Sequence, residues 1–315
     1  MTTAYVPHKI LVNYIFYSIA NTPTAGRVDL IERYRYPFRF YFYSAIIPWI
    51  LWLVAAYLSH RPDAANYAPH ISTLGLIGLA GPLLVAVYYI NKSRHLVTDV
   101  ASRFFNFHSA PAAYFLLALL LMPASIMLAM AISLLFGHDA SQFMITGHAT
   151  FTSEVLPVWL ILVMAPVLEE LAWHSYGTDC LRQRYSLFTT SMIFSVYWVM
   201  WHVPLATING YYHANLVVEG AIYSINFMAS IFPFVLLMNW LYYKTGRNIL
   251  VAVALHLAAN VFNEIFATHP DSKVIQTILL LIVCGVVLFK ERNMFFGEKH
   301  YKKGRYLLNA DQAIS

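Results

Sequence analysis

The chain has 315 residues, of which 59% are hydrophobic and only 11% are charged, and its formal net charge is +5. Soluble globular domains are about a quarter charged, so this composition excludes a soluble domain with a charged surface. It predicts a membrane protein in which basic loops beside anionic lipid headgroups account for the positive charge, without a nucleic-acid partner.

Residues 1–40 precede the first long apolar run. They lack the charged n-region and the small-residue cleavage site of a signal peptide, so we expect no segment to be removed. The stretch HKILVNYIFYSIA mixes aromatic and aliphatic residues but is too short to cross a bilayer. It predicts a cytoplasmic segment that lies at the membrane interface.

Eight apolar runs follow, and crossing a bilayer takes roughly 20 such residues. The predicted spans are 41–59, 71–91, 112–136, 155–181, 186–207, 217–243, 248–266 and 274–290. The predicted fold is therefore all-α, a polytopic membrane bundle of about eight transmembrane helices within residues 41–290. The polar loop 137–154 is expected to cap the bundle, and residues 291–315 form a basic cytoplasmic tail.

The basic residues are divided unequally between the two ends of these spans. Only Arg61 and Lys273, of the 20 Lys and Arg residues, fall on one side. Cytoplasmic loops carry the excess of Lys and Arg, so both termini are predicted to be cytoplasmic. No repeat or linker divides the chain, and its short loops suggest the inner membrane of a bacterial cell.

Acids and histidines near the middle of the membrane occur in only three of the predicted spans. Each costs several kcal/mol in lipid unless it faces a partner or a wet cavity, so such residues indicate a functional site. The fourth, fifth and seventh spans contribute, in order, Glu169, Glu170, His174, His202, His256 and the nearby amide Asn260. Asn263 and Glu264 are expected to tie elements together or to lie at the outer interface.

Helical spacing gives the two adjacent acids different surroundings. Glu170 and His174 are four residues apart and can pair, whereas Glu169 points about 100° away. His256 and Asn260 also share one helix face. One acid is therefore expected to face a cavity while the other holds its helix in place.

A carboxylate in a cavity of low dielectric constant is a useful general base near neutral pH. Glu169 with His202 can hold and deprotonate a water, and His256 with Asn260 can donate to the oxyanion that forms on an amide carbonyl. The chain has no G-x-S-x-G or H-E-x-x-H motif, and neither of its 2 cysteines adjoins a histidine. These features favour a peptidase without a covalent intermediate and without a cofactor.

The three polar segments resemble the CPBP intramembrane endopeptidases, a family that includes the type II CAAX prenyl proteases and bacteriocin-processing proteins. That family has E-E-x-x-x-R, F-x-x-x-H and H-x-x-x-N on three core helices. Here the corresponding segments are EELAWH at 169–174, WVMWH at 198–202 and HLAAN at 256–260. The resemblance covers about residues 155–266.

The resemblance implies that Glu169 and His202 activate the water, and that His256 and Asn260 form the oxyanion site. Glu170 would support them, and the substrate would be a membrane-associated peptide or protein, lipidated in some members.

Two positions depart from the family pattern. Trp198 replaces Phe, which keeps an aromatic wall and is expected to change little. His174 replaces Arg. Arginine is always charged whereas histidine titrates near neutrality, so the Glu170–His174 pair is expected to depend on pH.

Other interpretations stay open on the sequence alone. The acids could lie in the headgroup zone, and the histidines could belong to an aromatic belt or to interhelical hydrogen bonds. The same side chains could instead coordinate a divalent metal, although no recognised ligand spacing is present. A non-proteolytic binding protein, chaperone or transporter is a further alternative, although no repeated halves indicate transport. The substrate and the oligomeric state are not predicted.

Overall fold

The computed structural model describes residues 33–104, 111–147 and 149–297. Its helices are α1 Pro37–Ser59, α2 Ala68–Ile90, α3 Arg94–Phe104, α4 Ala112–Ser133, α5 Val158–Ala172, α6 Thr178–Arg182, α7 Leu187–His202, α8 Tyr212–Glu219, α9 Ala221–Lys244, α10 Ile249–Glu264, α11 Pro270–Lys290 and α12 Arg292–Phe296. The predicted all-α bundle is confirmed, since the described ranges contain helices and turns with one isolated β-bridge between Ile145 and Phe266.

The number of full-length spans is smaller than predicted. Within the described ranges, six helices are long and apolar enough to cross a membrane, or seven if one bent pair counts as a span. The predicted span 248–266 is helical only over α10, whose 16 residues fall short of the roughly 20 that a bilayer requires. The cytoplasmic position of both termini stays a prediction.

The predicted fifth span ends in a sharp bend. Pro204 cannot donate a backbone hydrogen bond, so the α-helix gives way to a 3-10 turn over Val203–Thr207. The chain then turns by 81° into α8. Gly220 separates α8 from α9 with φ 148°, a value that residues with a side chain seldom adopt. The predicted span 217–243 was therefore wrong at its start, because its first residues belong to α8.

A π-helix over Trp173–Gly177 connects α5 to α6 within the apolar stretch Val158–Arg182. A π-helix bonds i to i+5, so it carries an extra residue and is found mostly at functional sites. Gly177 allows the close approach of α1, since a Cβ there would lie 2.8 Å from the Phe40 ring. The two adjacent glutamates precede this π-helix directly.

Helix α10 lies at the centre of the bundle, where it packs against α4, α5 and α9, and α9 in turn packs against α7. This arrangement brings together the three predicted polar segments. The proposed interfacial segment falls mostly within residues 1–32 and the basic tail mostly within residues 298–315, both outside the described residues. The first helix begins at Pro37, four residues before its predicted start.

Candidate active site

A cavity of about 320 Å³ lies between α5, α7, α9, α10 and α11. Glu169, His202, His256 and Asn260 all line it, so the structure brings these four predicted residues to one space. Cavities of this size accommodate small ligands. The remaining lining is largely aromatic and aliphatic.

The carboxylate of Glu169 is held on one side by two tryptophans. Its Oε2 accepts a hydrogen bond from Trp198 Nε1 at 3.1 Å and from Trp173 Nε1 at 3.4 Å. Its Oε1 has no hydrogen-bond donor among the described residues, and the whole residue is only 6% exposed. Glu169 therefore keeps one oxygen free at the base of the cavity.

Glu170 lies on the other side of α5 and joins two helices. It is fully buried, and its Oε1 accepts from Nδ1 of His256 on α10 at 2.6 Å. Its Oε2 contacts Nδ1 of His174 in the π-helix. The structure thus gives the adjacent glutamates different partners, one facing the cavity and one inside the protein.

Both ring nitrogens of His174 face hydrogen-bond acceptors. Ser191 Oγ donates to the Leu187 carbonyl at 2.9 Å, so it accepts from Asn239 Nδ2 at 2.9 Å. This orients Asn239 Oδ1 toward His174 Nε2, at 3.0 Å. With Glu170 at Nδ1, the ring occupies the position between two acceptors that the family arginine would have here.

His202 has its tautomer fixed by its own helix. Its Nδ1 lies 2.6 Å from the carbonyl oxygen of Trp198, which can only accept, so Nδ1 carries the proton. Nε2 of the neutral ring is left as an acceptor. The His213 ring centroid lies 5.0 Å from that of His202. Sequence reasoning missed His213, because it lies between the predicted spans 186–207 and 217–243 and only residues inside spans were considered for the site.

His256 presents its second nitrogen to the cavity. Because Nδ1 is held by Glu170, Nε2 is the nitrogen available to a bound molecule. The ring lies edge-on to Trp198, with centroids 5.3 Å apart. Asn260, one turn along α10, lines the same cavity, and its side-chain amide has no partner within the described part of the chain.

Trp198 does more than the sequence comparison suggested. Its indole N–H donates to Glu169, a contact that the phenyl ring of the family pattern cannot make. The indole also stacks on Phe234, with ring centroids 6.0 Å apart. Trp198 is thus a positioning residue for the carboxylate.

A buried ionic cluster lies at the opposite end of α5 from the cavity opening. Arg103 on α3 donates to the carbonyl oxygens of His174 and Ser175, at 2.9 and 3.0 Å, and therefore caps the π-helix. Asp179 is 3.2 Å from Arg103 and 2.5 Å from Arg247. Burial alone would lower the pKa of Arg247, but Asp179 and other neighbours outweigh it and raise that pKa well above its ordinary value.

At the cavity rim, polar side chains tie loops to helices. Glu264 is 5% exposed, and its carboxylate accepts from the backbone N–H and the hydroxyl of Thr150, each at 2.8 Å. Asn263 donates to the hydroxyl of Tyr212 at 3.2 Å. These contacts agree with the expectation that Asn263 and Glu264 tie elements together, and they fix loop 137–154 beside the cavity.

Within the described residues, one group of His and acid side chains is close enough to share a metal ion. It consists of His138, His269 and Asp271, whose ligand atoms lie within 4.8 Å of one another at the loop end of α11. None of the three lines the cavity. This group therefore has no bearing on whether a metal binds at Glu169.

Comparisons with known proteins identify the family of the chain. A family model described as "Type II CAAX prenyl endopeptidase Rce1-like" matches residues 151–262, which include all three motif segments. Among curated proteins, the chain is similar to "CAAX prenyl protease 2" from Methanococcus maripaludis. The two are 33% identical over 270 residues, which is 85% of this chain and 98% of that protein.

Proposed function

The chain belongs to the CPBP family of membrane endopeptidases, the family of the type II CAAX prenyl proteases, and we propose that it hydrolyses a peptide bond with a water activated by Glu169. The observation that carries this proposal is the environment of the Glu169 carboxylate. It is buried at the base of a cavity, one oxygen is held by two indoles, and the other is free.

In the proposed reaction, a water lies between the free oxygen of Glu169 and Nε2 of His202. Glu169 takes one proton from this water, and His202 orients it by accepting a hydrogen bond from its second O–H. The water oxygen then attacks the carbonyl carbon of the scissile amide. General-base catalysis of this kind contributes roughly 10²–10⁴-fold to the rate.

The carbonyl oxygen becomes an oxyanion in the tetrahedral intermediate. His256 Nε2–H, in the imidazolium form, and the Asn260 amide donate to it. Removing one such donor typically costs about 10²–10³-fold in kcat. When the C–N bond breaks, Glu169 returns its proton to the leaving amine, so one carboxylate and one amine are released.

Glu170 supports this step without touching the substrate. Its negative charge keeps a proton on Nδ1 of His256. Nε2 therefore carries a hydrogen, and can donate it, only when His256 is in the imidazolium form. His174 contacts the other oxygen of Glu170. No metal ion takes part in the proposed chemistry.

The proposed substrate is a membrane-associated peptide or protein. The name of the Methanococcus relative specifies prenylated chains that end in the C-a-a-X motif. For this chain we propose the same class, because the cavity walls offer apolar side chains such as Trp52, Phe227 and Leu280 to a lipidated cysteine. The proposed location is the inner membrane of a bacterial cell.

Peptide termini generated in membranes test this function. Cells producing the wild type are compared with cells producing Glu169→Gln at equal abundance, and new termini are identified by mass spectrometry. Glu264→Gln is the matched control, since it makes the same change in another buried glutamate of the cavity. We expect termini that require Glu169 but not Glu264; identical termini in all three samples would refute the proposal.

A further inference from the structure

The cavity contains a single strongly basic side chain. Among the described residues that line it, Lys273 is the only Lys or Arg. Lys273 lies in the first turns of α11, and Gln276, Thr277 and Leu280 line the cavity from the same helix face. The ammonium group is thus presented to the cavity rim from a long helix.

Gln276 fixes the face of α11 that carries Lys273. Its side-chain amide donates to Ser125 Oγ at 2.9 Å on the neighbouring helix α4. Thr277 donates back to the Lys273 carbonyl at 3.1 Å. The helix is therefore anchored at this point, although the lysine stem itself remains adjustable.

Lys273 has no acid within ion-pair distance in the described part of the chain. Its Nζ lies 5.4 Å from the centroid of the Tyr212 ring, a cation–π contact. Glu264, an acid that also lines the cavity, accepts hydrogen bonds from Thr150 on both of its carboxylate oxygens. A cation in this position lacks a counter-ion and is suited to bind an anion.

A row of aromatic rings connects Lys273 to the catalytic residues along the cavity wall. Ring centroids step from Tyr212, beside the ammonium, to Phe227 over 6.1 Å and from Phe227 to His202 over 5.4 Å. The ammonium therefore faces the same cavity as His202, and a peptide whose scissile bond lies at Glu169 can extend toward it.

We propose that Lys273 binds the C-terminal carboxylate of the substrate. This inference rests on the proposed function, because it assigns the substrate end that the same cavity receives. It makes the enzyme selective for chains with a free carboxylate over chains that end in an amide.

The test uses purified full-length protein in detergent micelles and two S-farnesyl peptides with one C-a-a-X sequence. One peptide ends in a carboxylate and the other in a carboxamide. Binding is measured with Glu169→Gln, so the result does not require cleavage. We expect roughly 10- to 100-fold tighter binding of the carboxylate peptide, as for a hydrogen-bonded charged group.

Substitution of Lys273 separates this role from a general effect on the fold. Adding Lys273→Gln to Glu169→Gln should remove the preference for the carboxylate peptide, whereas adding Lys273→Arg should keep most of that preference. Lys244→Gln is the matched control, since Lys244 pairs with Glu291 at the opposite end of the bundle, and it should keep the full preference. Equal affinity for both peptides, or a preference that survives Lys273→Gln, would overturn the proposal.

Cleavage by the wild type is then followed with the same peptides. If the carboxylate preference is present in binding but neither peptide is cut, the proposed function fails while the role of Lys273 stands. If both peptides are cut at equal kcat/KM and bind equally, the proposed function stands and the role of Lys273 fails.

Discussion

Neutralising the two adjacent glutamates one at a time should have opposite consequences for stability. The changes are Glu169→Gln and Glu170→Gln, which alter charge with little change of shape. Glu170 accepts from two imidazoles, His174 and His256, while Glu169 accepts only from two neutral indoles. Both variants should lose cleavage, but only one should lose stability.

The expected loss of stability in Glu170→Gln follows from these contacts. A hydrogen bond to a charged group contributes about 1.5–3 kcal/mol. A glutamine at 170 has a single acceptor oxygen for two donors and turns an N–H toward one of them, so at least one bond is lost. We expect the free energy of unfolding to fall by about 3 kcal/mol, near the lower limit for breaking a buried ion pair.

The effect of Glu169→Gln on stability is expected to differ, because no cation lies within ion-pair distance of Glu169 among the described residues. A buried carboxylate without such a partner raises the free energy of the native state. Glutamine removes that cost and can still accept from an indole. The free energy of unfolding should therefore stay the same or rise by about 1 kcal/mol.

Equilibrium unfolding in mixed detergent micelles, followed by circular dichroism, measures both changes. Glu154→Gln provides the control, since Glu154 is exposed and such surface changes stay within about 0.5 kcal/mol. A loss of stability in Glu169→Gln as large as that in Glu170→Gln would refute the assignment of different roles to the two acids.

Four further outcomes are expected. Arg103→Gln removes the donor to the Ser175 carbonyl and the ion pairs with Asp99 and Asp179, and it should lower the free energy of unfolding by about 3 kcal/mol in the same unfolding assay; a change below 0.5 kcal/mol would contradict this role. His174→Arg should retain cleavage, since arginine can donate to both Glu170 and Asn239 as the histidine ring does; loss of cleavage in a folded variant would contradict this. Trp198→Phe should lower kcat about 10-fold or more with little change in KM, since it removes a donor to Glu169; an unchanged kcat would show that the indole N–H is dispensable. Cleavage should be insensitive to EDTA, and loss with EDTA followed by recovery with zinc would favour a metal-dependent reaction.

Much of the fold and of the catalytic layer could be predicted because the information is local. Apolar runs mark helices, and the four-residue spacing of Glu170 and His174 is enough to predict their contact. Because charged and polar side chains are costly in lipid, the remaining ones are expected to lie close together inside the protein. These features need only the chain and its helical period.

The remaining features depend on contacts between distant parts of the chain. Arg103 is 71 residues from the carbonyl of His174 that it caps, and no periodicity connects them. Pro204 ends the α-helix, but the size of the bend depends on how α8 packs against the 3-10 turn. Lys273 was predicted only as an outer-loop cation, because its position at the cavity depends on the packing of α11 against α4.

The π-helix makes this region sensitive to residue number. A π-helix turns by less per residue than an α-helix, so the wide turn over 173–177 absorbs the extra residue locally. Removing one residue from 173–177 should therefore allow an ordinary α-helix to run from α5 through α6, with Glu169, Glu170 and Asp179 keeping nearly their present directions. A second inserted residue, with no further wide turn to absorb it, should instead rotate Asp179 by about 100° away from Arg247. The number of residues between α5 and α6 is thus constrained independently of which side chains they carry.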